Sequence, residues 1–307
     1  MHNRGHLLTE QRNAGSENID RMTIGDAFDA ISVEDRSVAA AVAEARSAIC
    51  AAVELITGAF RAGGRLIYVG AGTSGRLGVM DAAECPPTFM SDPRMVQGII
   101  AGGSDALQRS VEGAEDCADA GADAMDESMV QPVDIVFGIT TGGTTPFVHG
   151  ALSRAKERGA GTVFLACVDS GQAPDVADVS IRVLVGPEIV TGSTRMKAGT
   201  ATKMVLNMIS TLSMVGIGKV YQNYMVDLNT RGCDKLQDRG VRVVQALTDR
   251  TRDEAGQLLE EAHGQVKVAL VMDRMQLDRV SATQCLQNHN GHIRAVFESQ
   301  SLTPKRD

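Results

Sequence analysis

The sequence predicts an α/β fold with a five-stranded parallel sheet. Between residues 65 and 185, short and uniformly apolar segments alternate with longer helical ones. Strands of a parallel sheet are buried on both faces and therefore read as continuous apolar runs, and the helices that join them must cover both faces. The chain also carries 32 glycines but only 3% aromatic residues. This favours tight turns between strand and helix and disfavours surfaces that stack nucleic-acid bases.

Each predicted strand is an apolar run bounded by turn residues. The strands are expected at residues 65–69, 95–101, 134–139, 162–168 and 180–185. The helices between the first four strands are expected at residues 74–83, 104–124 and 146–158. Pro86 and Pro87 would end the first helix, because proline lacks a backbone N–H. Ser104 is the expected N-cap of the second, because its hydroxyl accepts a hydrogen bond from a free backbone N–H.

Two further helical regions flank the predicted sheet. Apolar residues recur at three- and four-residue steps from Ser37 to Phe60, which predicts an amphipathic helix after an irregular stretch over residues 1–30. A long helix rich in methionine is expected at 194–220, followed by three or four short helices from about residue 240. The expected domains are an N-terminal helical segment, a sheet domain and a helical bundle, at residues 1–55, 56–225 and 240–307.

The composition argues against several classes of function. The net charge is −8, the isoelectric point is near 5.3 and no run of Lys or Arg occurs, so nucleic acid and anionic membranes are not expected partners. The six cysteines include no CxxC pair, which predicts free thiols in a reducing compartment and no metal site. The N-terminal segment lacks an apolar signal core, and the longest apolar stretch, 204–217, is too short to span a bilayer. A cytoplasmic location is therefore expected.

The turn after the first predicted strand has a spacing typical of phosphate binding. Residues 70–76 read GAGTSGR and match GxGxxG. A dinucleotide site would add an acidic residue at the end of the second strand, and a P-loop would need lysine where an arginine stands. What remains is a helix N-terminus with Thr73 and Ser74 between Gly72 and Gly75, which suits a phosphate monoester. A tight turn with capping hydroxyls is the alternative.

Two acidic segments are candidates for proton transfer. Glu84 lies in AECPP, at the expected C-terminal end of a helix, where the dipole disfavours a carboxylate anion and burial would add to that effect. Such a carboxyl group suits a proton donor, although a lone glutamate is ordinarily a surface residue. Glu112 and Glu115 lie in VEGAED and would face the same way one turn apart on a helix. Their spacing alone indicates a solvated acidic face.

Several long segments together resemble one enzyme family. GAGTSGRLGVMDAAECPP, VEGAED and GPEIVTGSTRMKAGTATKMVLNMIST are similar to segments of the N-acetylmuramic acid 6-phosphate etherases, as are LLTEQRN and KVYQNYMVDL. The resemblance spans roughly residues 7–300. It implies a sugar isomerase (SIS) domain, which is a three-layer α/β/α sandwich, and a homodimer. It also implies that Glu84 is the catalytic acid and Glu115 the catalytic base.

The resemblance implies a specific reaction as well. The substrate is a 2-acetamido sugar phosphate that carries lactate through an ether at C3. Ring opening exposes a C1 aldehyde, which acidifies the hydrogen on C2, and a carboxylate base can then remove that proton. A carboxylic acid protonates the departing ether oxygen, lactate leaves, and water adds to the unsaturated aldehyde. One ionised and one protonated carboxyl group suffice, so no metal and no organic cofactor is expected.

The remaining site residues are expected in two loops. Thr191, Ser193 and Thr194 would cap the long helix, with Ser193 at the phosphate, and Glu188 would touch sugar hydroxyls. In the third-strand loop, residues 140–148 read TTGGTTPFV where the family pattern is like AASGRTPYV, so Gly142 and Thr144 stand where serine and arginine are common. Thr140, Thr141 and Thr144 are therefore the expected phosphate donors.

Two other classes of function fit the same fold. An aldose–ketose isomerase of sugar phosphates would share the phosphate loop and a carboxylate base but would need no acid at the C3 ether. A non-catalytic sugar-phosphate sensor like the glucokinase regulatory protein carries two SIS domains, whereas this chain has room for one. The presence of both AECPP and VEGAED favours the etherase.

Overall fold

The chain folds around a five-stranded parallel sheet, as predicted. The computed structural model describes residues 4–232 and 234–301. The strands are β1 (Leu66–Gly70), β2 (Val96–Ile100), β3 (Ile135–Ile139), β4 (Gly161–Ala166) and β5 (Val179–Arg182). Each begins and ends within a few residues of its predicted position, because a run of buried apolar residues between turn residues marks a parallel strand well.

The order of the strands places a switch point at β1. The order across the sheet is β2-β1-β3-β4-β5, and Gly70 at the end of β1 pairs with Ile100 on one side and Ile139 on the other. The connections after β1 and after β3 therefore start at adjacent strand ends. In open α/β sheets, ligands bind in the crevice at such a point.

Helices cover both faces of the sheet and make the three layers. The helices of the first half are α1 (Ile24–Glu44), α2 (Arg46–Arg61), α3 (Gly72–Phe89), α4 (Ala118–Glu127) and α5 (Pro146–Glu157). Helix α3 approaches one face so closely that a Cβ on Gly78 would lie 2.9 Å from the Tyr68 side chain. Helix α5 approaches the other face, where a Cβ on Gly138 would lie 2.6 Å from Val148.

The N-terminal helical region differs from the prediction. The helix starts at Ile24 rather than Ser37 and is divided at Ala45 into α1 and α2. Thr23 is the N-cap that the sequence reading missed: its side chain accepts the N–H of Asp26. Apolar residues already recur at helical steps from Ile24 through Phe28 to Ile31, so the periodic pattern begins earlier than the prediction placed it. Residues 1–3 of the stretch expected to be irregular lie outside the described residues.

The expectation that Pro86 and Pro87 end the first sheet helix was wrong. Both prolines lie inside α3, which continues to Phe89. Proline fixes φ near the helical value, but it removes one backbone hydrogen bond and its ring crowds the carbonyl four residues earlier. Because the helix ends one turn later, two missing hydrogen bonds are tolerated there. Glu84 consequently lies within the helix rather than at its end.

The single helix expected over residues 104–124 was also wrong. Two short 3-10 helices, Gly103–Leu107 and Ala114–Asp116, precede α4. Gly113 has a left-handed φ of 74°, which breaks any continuous helix. Ser104 lies inside the first 3-10 helix, whose N-cap is Gly102.

The second half of the chain is mainly helical. It contains α6 (Lys197–Gly216), a hairpin of β6 (Val220–Tyr221) and β7 (Tyr224–Met225), and five further helices. These helices are α7 (Asp234–Leu247), α8 (Arg252–Glu261), α9 (Val266–Met275), α10 (Arg279–Asn288) and α11 (Ile293–Ser301). The long helix is confirmed, with tighter bounds than 194–220, and the bundle has one helix more than the largest number expected. Residues 302–307 lie outside the described part.

The chain divides into two compact units. The first comprises described residues 4–83 and 93–210 and contains the sheet; the second comprises residues 84–92, 211–232 and 234–301. Each has its own apolar core, built around Val136 and Phe164 in the first unit and around Val244 and Val271 in the second. Among the helices of the described residues, none is long and apolar enough to cross a membrane.

Candidate active site

The turn between β1 and α3 is as tight as its glycines allow. A Cβ on Gly75 would lie 2.7 Å from the carbonyl oxygen of Gly70, so a larger residue would not fit there. Gly72 has a φ of 53° and opens α3. In an α-helix the first N–H groups have no partner within the helix, and here they include those of Thr73 and Ser74. The predicted anion-binding turn is therefore formed; its ligand remains a prediction.

A cavity of about 250 Å³ adjoins this turn. Its walls come from the start of α3, from the end of β2 and from the loop before α4. Among its lining residues are Gly72, Arg76, Arg109, Glu112 and Glu115. The structure therefore brings the sequence-predicted phosphate turn and the predicted catalytic base to one cavity of the first unit.

The acidic loop of this cavity is not the helix face that the spacing indicated. Glu115 lies in the 3-10 helix Ala114–Asp116, whereas Glu112 precedes the left-handed Gly113 in the loop. Both side chains are exposed. The Ser110 hydroxyl donates a hydrogen bond to Glu112 Oε1 at 2.8 Å. Glu112 is therefore already engaged, while Glu115 remains accessible from the cavity.

Arg76 is a cavity residue whose role the sequence reading missed. Its Nε donates to the carbonyl oxygen of Leu107 and its Nη2 to that of Arg109, both at 3.2 Å. The arginine thus fixes the loop between β2 and Glu115 to helix α3. The only sequence signal was its position directly after the GxGxxG turn.

The threonines in the loop between β3 and α5 differ in their burial and in their hydrogen bonds. Thr140 is buried, and its hydroxyl lies 2.8 Å from that of Thr145, so these two hydroxyls satisfy each other. Thr141 and Thr144 are partly buried, and within the described chain their hydroxyls have no hydrogen-bond partner. Gly143 has a φ of 76°, and a Cβ there would lie 2.4 Å from Ala173, so glycine is required at the turn.

Glu188 caps helix α6 and is fully buried. Its Oε2 accepts the Lys197 N–H at 3.0 Å and its Oε1 accepts the Ala198 N–H at 2.9 Å. The expectation that Thr191, Ser193 or Thr194 caps this helix was therefore wrong. Because the Glu188 side chain is fully buried, it has no exposed surface with which to make the expected contact with sugar hydroxyls. Ser193 is partly buried in the preceding turn.

The N-terminal segment packs on the loops of the first unit. The Leu8 N–H donates to the Gln172 side chain at 3.2 Å, and the Asn13 amide donates to the Pro187 carbonyl at 3.2 Å. The Ser16 hydroxyl donates to the carbonyl of Ile189 at 2.7 Å. Glu34 of α1 forms an ion pair with the buried Lys197 at the start of α6. Burial raises the pKa of the Glu34 carboxyl. Hydrogen bonds from Lys197 and Asn13, together with the charge of Lys197, lower that pKa by a larger amount, so the net shift is downward.

Glu84 lies in α3 and belongs to the second compact unit. Its side chain is exposed, in contrast to the burial that the sequence reading considered. One turn earlier, Asp81 is buried and accepts hydrogen bonds from the Tyr68 hydroxyl at 3.0 Å and from Ser210 at 3.2 Å. These bonds anchor α3 to β1 and α6 just before Glu84.

Within the described residues, no group of three or more His, Cys, Asp or Glu side chains is placed to hold a metal ion. The described cysteines are all free; Cys233 lies outside the described residues. Burial, together with the nearby Glu188 charge, raises the pKa of the Cys167 thiol to about 12. That thiol is therefore inert near neutral pH.

Two family models match the chain in the region of the sheet. Residues 48–156 match the family described as the glucokinase regulatory protein N-terminal SIS domain, and residues 112–212 match the SIS domain. The matches overlap across the acidic loop, α4, β3 and nearly all of α5. Both describe SIS domains, in agreement with the sheet order.

Curated relatives match nearly the whole chain. A protein of Gloeothece citriformis is 51% identical over 302 residues, covering 98% of this chain and 98% of the relative. A protein of Synechocystis sp. is 50% identical over 299 residues, covering 97% and 98%. One of Trichodesmium erythraeum is 48% identical over 303 residues, covering 99% and 98%. All three carry the name N-acetylmuramic acid 6-phosphate etherase.

Among solved structures, phosphoheptose isomerase from Neisseria gonorrhoeae is 16% identical, with a TM-score of 0.49. The superposition covers 62% of this chain and 98% of the isomerase. At that score the likeness supports no functional conclusion.

Proposed function

The chain belongs to the N-acetylmuramic acid 6-phosphate etherase family, and we propose that it cleaves the D-lactyl ether of N-acetylmuramic acid 6-phosphate. The products are D-lactate and N-acetylglucosamine 6-phosphate. The observation that carries the proposal is the identity of about half of all residues with etherases over nearly the whole chain. Glu84 and Glu115, the two carboxylates that the reaction needs, are both present in their motifs.

The chemistry begins with the open-chain aldehyde of the substrate. The aldehyde at C1 stabilises negative charge at C2, so the C2 hydrogen becomes acidic. Glu115 as the ionised carboxylate removes that proton, and Glu84 as the protonated acid transfers its proton to the ether oxygen on C3. The C3–O bond breaks and lactate departs. Water then adds at C3 of the unsaturated aldehyde, with the carboxyl groups exchanging roles.

The surroundings of Glu115 fit the role of the base. Glu115 is exposed to the cavity that also contains the phosphate turn, so it can reach a sugar atom while ionised. Glu84 follows Asp81 on the continuous helix α3, and its side chain is exposed. The acid role of Glu84 therefore rests on the resemblance of its AECPP motif to the etherases.

Phosphate recognition is proposed for the α3 N-terminus and its neighbouring loop. The N–H groups of Gly72, Thr73 and Ser74 and the hydroxyls of Thr73 and Ser74 favour a phosphate through the helix dipole and direct donation. Thr141 and Thr144 add two hydroxyls that have no protein partner within the described chain. Thr140 is proposed to act indirectly, because its hydroxyl already bonds Thr145. Ser193 remains a further proposed donor.

The direct test is release of D-lactate from N-acetylmuramic acid 6-phosphate. The proposal predicts stoichiometric lactate and N-acetylglucosamine 6-phosphate. Two control incubations address the other classes: conversion of an aldose phosphate to its ketose would indicate an isomerase, and tight sugar-phosphate binding without turnover would indicate a regulator. The regulator is kept as a second candidate because residues 48–156 match the glucokinase regulatory protein domain.

We also propose a cytoplasmic homodimer. Free cysteines in the described chain fit a reducing compartment. Helix α6 exposes Met208, Leu212 and Val215 at four- and three-residue spacing, and α1 exposes Ile24 and Phe28 one turn apart. Such apolar stripes are typical of surfaces that a partner covers. Light scattering at micromolar concentration would show a particle of twice the chain mass; a monomer would contradict this proposal.

A further inference from the structure

The guanidinium of Arg76 is held in place by two backbone carbonyls at the wall of the 250 Å³ cavity. An arginine side chain has five N–H donors in a fixed plane. The bonds to Leu107 and Arg109 use two of them, and three remain. An arginine fixed in this way loses little conformational freedom when it binds a further group. The side chain is therefore suited to present a second pair of donors to an anion.

The charges in the cavity make such a group necessary for an anionic ligand. Three carboxylates, Glu112, Glu115 and Asp116, line the cavity together with two guanidiniums, Arg76 and Arg109. An anion that reaches Glu115 meets repulsion unless a cation lies next to it. Arg109 is poorly suited to that task, because its side chain is 74% exposed and pairs with Asp105 at 3.2 Å. Arg76 is partly buried and anchored.

The substrate of the proposed reaction carries two anionic groups at different positions. The phosphate is on C6, whereas the lactyl carboxylate is on C3, next to the C2 hydrogen that Glu115 would remove. Arg76 lies one helical turn beyond Gly72 and Thr73, on the same side of α3. It also shares its cavity with Glu115. An anion on C3 can therefore lie beside Arg76 while the phosphate is held at the first turn of the helix.

We propose that Arg76 binds the lactyl carboxylate and thereby selects sugar phosphates that carry the ether. This inference rests on the proposed function and adds a residue that determines specificity. A planar guanidinium can meet a carboxylate with two parallel N–H···O bonds. Such a contact distinguishes the lactyl ether from the same sugar phosphate with a free C3 hydroxyl. It also holds the C2–C3 bond of the substrate beside the proposed base.

The test compares two ligands that bind but cannot react. Reduction of C1 to the alcohol in N-acetylmuramic acid 6-phosphate and in N-acetylglucosamine 6-phosphate removes the aldehyde that the reaction needs. Calorimetry with each ligand gives a ratio of dissociation constants for the parent and for Arg76→Gln. The ratio cancels any general loss of phosphate binding. We expect the variant to weaken the lactyl ligand by about 10- to 100-fold relative to the other, which is the effect of losing a charged hydrogen-bonded pair.

Two variants keep the test decisive. Arg109→Gln is the matched control, and its ratio should equal that of the parent. Arg76→Lys keeps the charge but not the planar pair of donors, so it should fall between the parent and Arg76→Gln. If Arg76→Gln does not fold, the ratio for Arg76→Lys decides, with a loss of about threefold or more expected. Circular dichroism checks folding of each variant.

The outcomes separate this inference from the proposed function. An unchanged ratio in the Arg76 variants, or a parent that does not prefer the lactyl ligand, would overturn the inference even if lactate is released. A selective loss of the lactyl ligand in a protein that releases no lactate would keep the inference and overturn the proposed function.

Discussion

Substitution of Glu188 by glutamine should destabilise the protein without removing any exposed group. Each carboxylate oxygen accepts one backbone N–H at the start of α6, at 3.0 and 2.9 Å, and the side chain is fully buried. Glutamine can accept only one of these two N–H groups, and its NH₂ would face the other. Loss of a buried hydrogen bond to a charged group costs about 1.5–3 kcal/mol. Removal of the charge from a helix N-terminus adds about 0.3–1 kcal/mol. The expected loss is therefore about 2–4 kcal/mol.

The assay for this change is urea unfolding followed by circular dichroism. With a slope of about 3 kcal/mol/M, the midpoint should fall by roughly 1 M. Glu44→Gln is the matched control, because Glu44 is exposed in α1, and its effect should stay within about 0.5 kcal/mol. An unchanged midpoint for Glu188→Gln would refute the capping role. A raised KM for sugar phosphate at an unchanged midpoint would instead support the predicted contact between Glu188 and the sugar.

Five further substitutions test the site and the sheet. Glu115→Ala should abolish exchange of the C2 hydrogen with deuterated water, whereas Glu84→Ala should abolish lactate release yet keep some exchange. Each loss should be about two to four orders of magnitude. The opposite pattern would reverse the assignment of acid and base. Thr141→Val and Thr144→Val should each raise KM roughly tenfold if that hydroxyl meets the phosphate, whereas parental KM values would leave the loop a structural turn. Asp134 is buried and forms an ion pair with Arg65. Burial raises the pKa of the Asp134 carboxyl, but hydrogen bonds from the Arg65 side chain and from the backbone N–H groups of Gln131 and Arg65 lower it by more, so the net shift is downward. The stability from this pair is therefore present above about pH 4 and lost as the pH falls. Asp134→Asn should lose about 1.5–3 kcal/mol near neutral pH, with a flatter acid limb in urea titrations; a parental acid limb would contradict the linkage.

The strands could be predicted from the sequence because their signal is local. Runs such as RLIYV and TVFLACV are buried on both faces and bounded by turn residues, so no tertiary information was needed to place them. The errors in the helices came from residues whose effect depends on context. Pro86 and Pro87 are tolerated inside α3, and Gly113 takes a left-handed φ that interrupts an otherwise helical pattern. Thr23 caps a helix that begins well before the predicted start at Ser37.

The candidate site was predictable where it followed one strand. The GxGxxG turn was predicted from its spacing and the acidic loop from the family resemblance, and both contribute to one cavity. Residues that act across long sequence separations were missed. The N-terminal segment meets residues 172–189 through hydrogen bonds between positions more than 160 apart, and no pattern within either segment indicates the pairing. The sequence predicts Glu188 as a sugar ligand, because its burial beneath the start of α6 depends on tertiary structure that no local pattern shows.

The destination of water oxygen tests the proposed elimination most directly. When the reaction runs in water enriched in ¹⁸O, cleavage of the C3–O bond leaves the original ether oxygen in lactate, and the water that adds later labels C3 of the sugar. Mass spectrometry of the two products distinguishes these positions, with a control incubation of N-acetylglucosamine 6-phosphate to correct for exchange at the C1 aldehyde. The account predicts unlabelled lactate and one ¹⁸O at C3 of N-acetylglucosamine 6-phosphate. Lactate that carries ¹⁸O in its hydroxyl group, with an unlabelled C3 oxygen in the sugar, would contradict it.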